Sequence, residues 1–329
     1  MSATNAPTVL RLNGAVLLQQ LHELGEIGAD PVAGGRTRVA LTDAEKAGRD
    51  QVVAWMRELD LDVRIDRIGN IFGTLSSAAK DAAGEAGEVL RPLMMGSHID
   101  TVVNAGALDG CYGVLGGLAI VRAFREAGVV PSRPITVAAF TNEEGARFHP
   151  DMMGSLVHAG GLPLAEALDA IGTDGARLGD ELVRIGYAGE MMPGTLVPHE
   201  YLELHIEQGP ILEAEGLQIG VVENLQGISW QQITVQGNAN HAGTTPTRLR
   251  HDAGYAAAAA VAELRRIAVD AGTTLATVGT LRVEPGVINV IPRKAVFTVD
   301  MRDPNEQRLA ASEAHFSAFL MKLAQDEGV

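Results

Sequence analysis

Over residues 11–25, Val16, Leu17, Leu21 and Leu24 recur at helical spacing, which predicts a first helix. Thr42 and Glu45 have capping-box spacing ahead of AEKAGRDQVVAWMREL, so a second helix is predicted to start near Thr42. Short strands are expected at 62–66 and 70–75, and the small, polar stretch 76–88 reads as an exposed loop. The texture then changes. LMMGS (93–97) and PITVAAF (134–140) are continuous apolar runs of the kind buried strands need, and VLGGLAIVRAFREAG (114–128) between them is an apolar helix ending at Gly128. Strand, helix, strand in this order predicts a βαβ unit and a parallel sheet, whose strand ends collect ligands. Polar residues cluster at those ends: Ser97-His98-Ile99-Asp100 after one strand and Thr141-Asn142-Glu143-Glu144 after the other.

From about residue 216 the pattern shifts again. ISWQQITVQG (228–237) alternates like a half-exposed strand, 251–270 is an alanine-rich helix, 273–285 and 294–302 are strands, and 305–326 is a final helix. That order predicts a small α+β domain with an antiparallel sheet. The expected fold is therefore α/β, in two domains. Residues 1–215 carry a mostly parallel sheet flanked by helices, and 216–329 form the smaller domain.

Charge narrows the partners. A formal net charge of −15 repels phosphate backbones and anionic lipid, so neither nucleic acid nor a membrane surface is expected. It also means that an anionic substrate needs local positive charge at its site. Cys111 is the single cysteine, which excludes an internal disulfide and fits a cytoplasmic location. No stretch reaches the roughly 18 apolar residues of a membrane helix, and residues 1–10 lack the basic start and apolar run of a secretion signal.

Candidate chemistry sits in three segments. HIDTVVNAGALDG supplies His98, Asp100 and Asp109; FTNEEGARF supplies Glu143 and Glu144; LELHIEQGP supplies Glu203, His205, Glu207 and Gln208. These are nitrogen and oxygen donors of the kind that bind zinc, manganese or cobalt. More donors than one ion needs, drawn from three segments, predict two divalent metal ions sharing a carboxylate. Adjacent Glu143 and Glu144 at a buried strand end repel each other unless a cation is near, and one of the pair is then left to move protons. Alone, a His-x-Asp is ordinarily a supporting pair, a Glu-Glu a solvated helix start, and His205 a satisfied core histidine. Their joint placement at strand ends is what points to chemistry. Signatures of a His-Glu-x-x-His zinc helix, a Gly-x-Ser-x-Gly elbow and a phosphate loop are absent from the sequence, and Cys111, within an apolar segment, reads as structural. In the second domain, Asn240, His241 and Asn289 could polarise a carbonyl oxygen. Arg302 could grip a substrate carboxylate, or pair with Asp300 or Asp303.

Together GSHIDTV, LDG, NEEG, HIEQGP, NHAGTTP, INVIP and DMRDP resemble the di-zinc aminopeptidase/carboxypeptidase-like hydrolases. They more closely resemble the hydantoinase/carbamoylase amidases, a branch holding N-carbamoyl-L-amino-acid hydrolase, β-ureidopropionase and allantoate amidohydrolase. The resemblance implies hydrolysis of a linear ureido C–N bond. It implies His98, Asp109 and His205 as ligands of one metal, Asp109 as the bridge, and Glu144 as a ligand of the second. Glu143 matches the general base, and Asp100 the group that orients His98. Gln208, His241, Asn289 and Arg302 match substrate-binding positions. His241 and Asn289 match residues that reach a partner subunit's site, which implies a homodimer through a lid/dimerisation domain. The family's last histidine ligand lies in a Gly/Ser-rich motif beyond the position of Val329. The resemblance therefore implies that the carboxyl-terminal part of the catalytic domain is missing, and that the chain is either a fragment of a longer enzyme or a non-catalytic dimerising remnant.

Overall fold

A computed structural model describes residues 10–77 and 90–329. The loop expected at 76–88 therefore lies, apart from Ser76 and Ser77, outside the described residues, as do nine of the ten residues read for a secretion signal. Two compact units divide the chain, Met1–Glu215 and Gly216–Val329.

In the first unit, α1 (Gly14–Glu26) and α2 (Asp43–Glu58) precede β1 (Asp62–Ile65) and β2 (Ile71–Leu75). The βαβ unit follows as β3 (Leu93–His98), α3 (Cys111–Glu126) and β4 (Ile135–Phe140). Then come three short helices, α4 (Met153–His158), α5 (Leu164–Leu168) and α6 (Leu178–Ile185), and finally β5 (Glu200–Leu202) and α7 (Ile211–Glu215). Thr42 caps α2 by accepting from the Glu45 amide, while Glu45 reaches back to the Leu41 amide, one residue earlier than a capping box requires. The sheet order is β1-β2-β4-β3-β5. β3 is parallel to β4 and to β5, while β2 is antiparallel to β1 and β4, so β2 alone runs against the other four. Helices α2 and α3 cover one face, burying Val52, Met56, Val114, Leu118, Met95 and Val137 in one cluster. Phe72, Met94, Ala138 and Phe140 pack on the other face. The parallel register sets His98 opposite Phe140, so the segments after β3 and β4 emerge at the same edge.

The second unit comprises β6 (Gly227–Gln236), α8 (Ala253–Ala271), β7 (Leu275–Thr277), β8 (Leu281–Glu284), β9 (Lys294–Asp303) and α9 (Glu306–Glu327). Its sheet is antiparallel, with β9 central between β6 and the β7–β8 pair. Small residues bring α8 close: Ala253, Ala257 and Ala260 pack with Ala295, Phe297, Val299, Met301 and Phe316. The strand expected over 273–285 is broken in two. Thr277 pairs with Asp300 and Leu281 with Phe297, so residues 278–280 face only Val299 and Thr298. One residue more on this side than on β9 is the count of a bulge, and Gly279 stands at its middle. Among the described residues, no helix is long and apolar enough to cross a membrane.

Candidate metal centre

His98 ends β3 and is buried. Its Nδ1 lies 3.0 Å from the main-chain oxygen of Asp100. A carbonyl can only accept, so Nδ1 carries a proton, and Nε2 is the nitrogen free to take a metal once its own proton is lost. Nε2 faces Asp109 Oδ1 at 3.7 Å and Glu143 Oε2 at 3.3 Å. His205 repeats the arrangement: Nδ1 donates to the Ile206 carbonyl at 2.7 Å, and Nε2 stands 3.2 Å from the same Asp109 oxygen. Ligand atoms of His98, Asp109 and His205 all lie within 4.8 Å of one another. Gly110 makes the approach possible. It takes φ +62°, and a Cβ there would fall 2.4 Å from the His98 ring, so glycine is required beside Asp109.

Asp100 ties this cluster to the glutamates. Its carboxylate is 3.7 Å from His98 Nδ1, too long for a hydrogen bond, and instead accepts the amides of Glu143 and Glu144, each at 3.2 Å. Thus the main-chain oxygen of Asp100 aims His98 while the side chain fixes the turn carrying Glu143 and Glu144. The turn is held from below as well. Thr141 donates its amide to Asn70 Oδ1 at 2.9 Å and receives Arg49 at its hydroxyl at 3.1 Å. Arg49 is itself paired with Glu45 at 2.5 Å, and both are buried. Asn142 adopts φ +52°, stabilised by its side-chain bond to the Phe148 carbonyl.

Charges at the site are strongly coupled. Burial opposes a proton on His98, but the carboxylates of Asp100, Asp109 and Glu143 outweigh it and raise its pKa. Asp109 raises His205 to about 9, and the two imidazoles hold Asp109 well below the usual carboxylate range. Burial pushes Glu143 up, with neighbouring carboxylates adding to it and His98 opposing. Burial likewise lifts Glu144 to about 7, and its Oε1 is buried without a hydrogen-bond partner among the described residues. Two imidazole nitrogens with preset tautomers, a shared carboxylate and an orphaned carboxylate oxygen are a donor set that fits divalent cations. Beside Glu143 a half-open cavity of about 290 Å³ is lined by Met94, Phe140, Met152, His158 and Tyr201.

The remaining candidates divide clearly. Gln208, at φ +56°, donates its side-chain amide to Asp109 Oδ2. Glu203 accepts from Ser97 and Tyr201, and Glu207 caps α7 by accepting the Ile211 and Leu212 amides, so both are occupied structurally. Cys111 is buried with its sulfur 3.0 Å from Arg38 Nη2, the structural role expected of it. In the second unit, the Ala242 amide donates to the Asn289 carbonyl at 3.0 Å and His241 bridges Val290, which brings the His241 and Asn289 segments together. Arg302 instead binds Asp300 through Nε and Nη2, the ion pair weighed from the spacing. Sequence reasoning did not find Arg49, Asn70 or Gly110. Only Gly110 left a signal, as the glycine of the LDG motif.

These features define a metal-binding hydrolase of mixed α/β architecture. The profile of peptidase family M20/M25/M40 matches residues 94–326. An N-carbamoyl-L-amino acid amidohydrolase of Geobacillus stearothermophilus is 42% identical over 298 residues, covering 89% of this chain and 70% of that protein. A ureidoglycolate hydrolase of Oryza sativa is 35% identical, covering 95% of this chain and 65% of its own length. The crystal structure of a hydantoinase/carbamoylase family amidase from Burkholderia multivorans is 43% identical, with TM-score 0.85 over 97% of this chain and 76% of that one. The chain belongs to peptidase family M20/M25/M40 and, within it, to the hydantoinase/carbamoylase amidases.

Proposed function

We propose that this chain is a metal-dependent amidohydrolase that cleaves the linear ureido C–N bond of N-carbamoyl-L-amino acids, yielding the amino acid, ammonia and carbon dioxide. The observation that carries the reading is the convergence of His98, Asp109 and His205 within 4.8 Å, with Glu143 Oε2 3.3 Å from His98 Nε2. The activities named for its relatives agree with it. In this reading His98, Asp109 and His205 hold one divalent ion, and Glu144 with Asp109 as the shared carboxylate holds a second. Zinc, manganese and cobalt all suit these donors. When bound, the ions would supply Lewis acidity toward the ureido carbonyl oxygen and toward water. Glu143 takes the proton of the attacking water and returns it to the leaving nitrogen. Asp100 positions Glu143 against His98, and Gln208 steadies Asp109 beside the substrate.

Arg302 grips the substrate carboxylate, while His241 and Asn289 polarise the ureido oxygen. Geometry within the second unit supports a homodimer. The His241 and Asn289 segments meet next to the start of β9, and Arg302 lies eight residues further along it. At the rise of an extended strand that is roughly 26 Å, too far for one small substrate. Two copies of the unit, each contributing one end, resolve the mismatch.

The test is ammonia release by purified protein with added manganese or zinc. N-carbamoyl-L-amino acids should turn over faster than allantoate or ureidoglycolate, the substrates of a second reading; the plant relatives are named for hydrolysis of ureidoglycolate. A preference for either of those would replace the first reading with the second. A folded dimer that binds at most one ion and turns over none of them would identify a non-catalytic remnant instead.

A further inference from the structure

Around Arg302, the open face of the second sheet carries apolar side chains that neither the fold nor the proposed chemistry yet uses. On β9, Ala295, Phe297, Val299 and Met301 point into the helices, so Asp300 and Arg302 point the other way. Register places Ile228 of β6 and Leu275 of β7 directly opposite Arg302, one on each side. The next row sets Trp230 and Thr277 on either side of Asp300. Directly opposed residues share a face and stand about 5 Å apart, so Ile228, Trp230 and Leu275 frame the Asp300–Arg302 pair. All three are exposed: Ile228 by 44%, Trp230 by 55% and Leu275 by 56%. Large apolar side chains grouped around a guanidinium that is already held in plane by Asp300 match a small ligand with a planar carboxylate at one end and an apolar group beside it.

We propose that this face is the side-chain subsite of the substrate: Ile228, Trp230 and Leu275 receive an aliphatic or aryl side chain of the amino acid whose carboxylate Arg302 holds. The inference rests on the reading of Arg302 given above. One carbon separates carboxylate from side chain in an α-amino acid, so a side chain anchored at Arg302 lands on its immediate neighbours. Asp300 engages the Nε edge of the guanidinium and fixes its plane. The subsite is therefore preset, and it favours N-carbamoyl derivatives of leucine- or phenylalanine-like amino acids over that of glycine.

The test is calorimetric titration of the full chain carrying Glu143→Gln, which prevents turnover, with N-carbamoyl-L-leucine and N-carbamoylglycine. The leucine derivative should bind at least about tenfold more tightly, the scale of burying a branched side chain. Trp230→Ala should remove that preference and leave N-carbamoylglycine affinity within about twofold. Arg302→Gln should weaken both ligands alike. Binding of the leucine derivative should also shift tryptophan emission, because the other tryptophan, Trp55, is only 5% exposed. Leu275→Ser serves as an independent variant should Trp230→Ala melt early. Equal affinity of the parent for the two ligands overturns the inference and leaves the proposed function standing. So does a leucine preference abolished by filling the cavity beside Glu143 with Met152→Trp yet untouched by Trp230→Ala. Binding of neither ligand by the parent overturns both.

Discussion

At the scale of single residues, the site is a set of atoms with one permitted orientation each. Main-chain carbonyls fix the tautomers of His98 and His205, and Asp100 fixes the turn of Glu143. Glu143→Gln should therefore cut kcat by about 10² to 10⁴ while bound metal, read by elemental analysis, stays unchanged. Gly110→Ala should do the opposite: its Cβ would strike the His98 ring, so metal content falls first and activity follows. The pH behaviour of the metal-free protein follows from His205, which rises from 6.5 to about 9. A histidine raised on folding stabilises fully below its unfolded pKa and loses that contribution as pH climbs through its folded pKa. Melting temperature in chelator should thus fall between about pH 6.5 and 9. Asp109→Asn, which removes the partner, should flatten that slope, and a slope that persists unchanged would assign it to other groups.

At the scale of elements, α2 does more than cover the sheet. Arg49 links Glu45, the Gly69 carbonyl and the Thr141 hydroxyl, so one helix side chain braces the turn before Glu143. Arg49→Ala leaves Glu45 buried and unpaired, and should cost about 3–5 kcal/mol in urea unfolding. Replacing both residues by apolar ones should cost much less. None of this bracing was legible in the sequence, because Glu45 and Arg49 have the spacing of an ordinary exposed helical pair. What was legible had strong periodicity or a distinctive motif. The βαβ unit showed itself through two apolar runs and the helix between them. Strand β6 showed itself through alternation, while its pairing with β9 did not. Helices α4 to α7 span at most eight residues, too few turns for a period to register. The β7–β8 break was hidden because a bulge leaves the composition of a strand intact. The candidate metal cluster was visible because its donors end β3 or fall in the segments that follow β3 and β5. The true reach of the Asp100 carboxylate was not, since a motif names a residue and not its acceptor.

At the scale of the whole molecule, labour is divided between the two units. The proposed metal donors and base belong to the first, and the groups proposed to touch the substrate's oxygen and carboxylate belong to the second. If His241 serves a partner's site, inactive Glu143→Gln and His241→Ala proteins should regain activity when mixed and allowed to exchange subunits. Recovery should approach about a quarter of the parent value, since half the molecules are then mixed and each mixed pair has one intact site. No recovery despite exchange, seen by sedimentation, would place His241 in its own subunit's site. The double grip of Asp100 has a consequence for how such a protein can change over time. Because one side chain and its own carbonyl join the imidazole to both glutamates, no drift in the hydrolytic step is available without dismantling all of it. Innovation is left to the other unit, where exchanging a tryptophan or leucine on an open sheet redirects the molecule to a new ureido compound and leaves bond cleavage as it was.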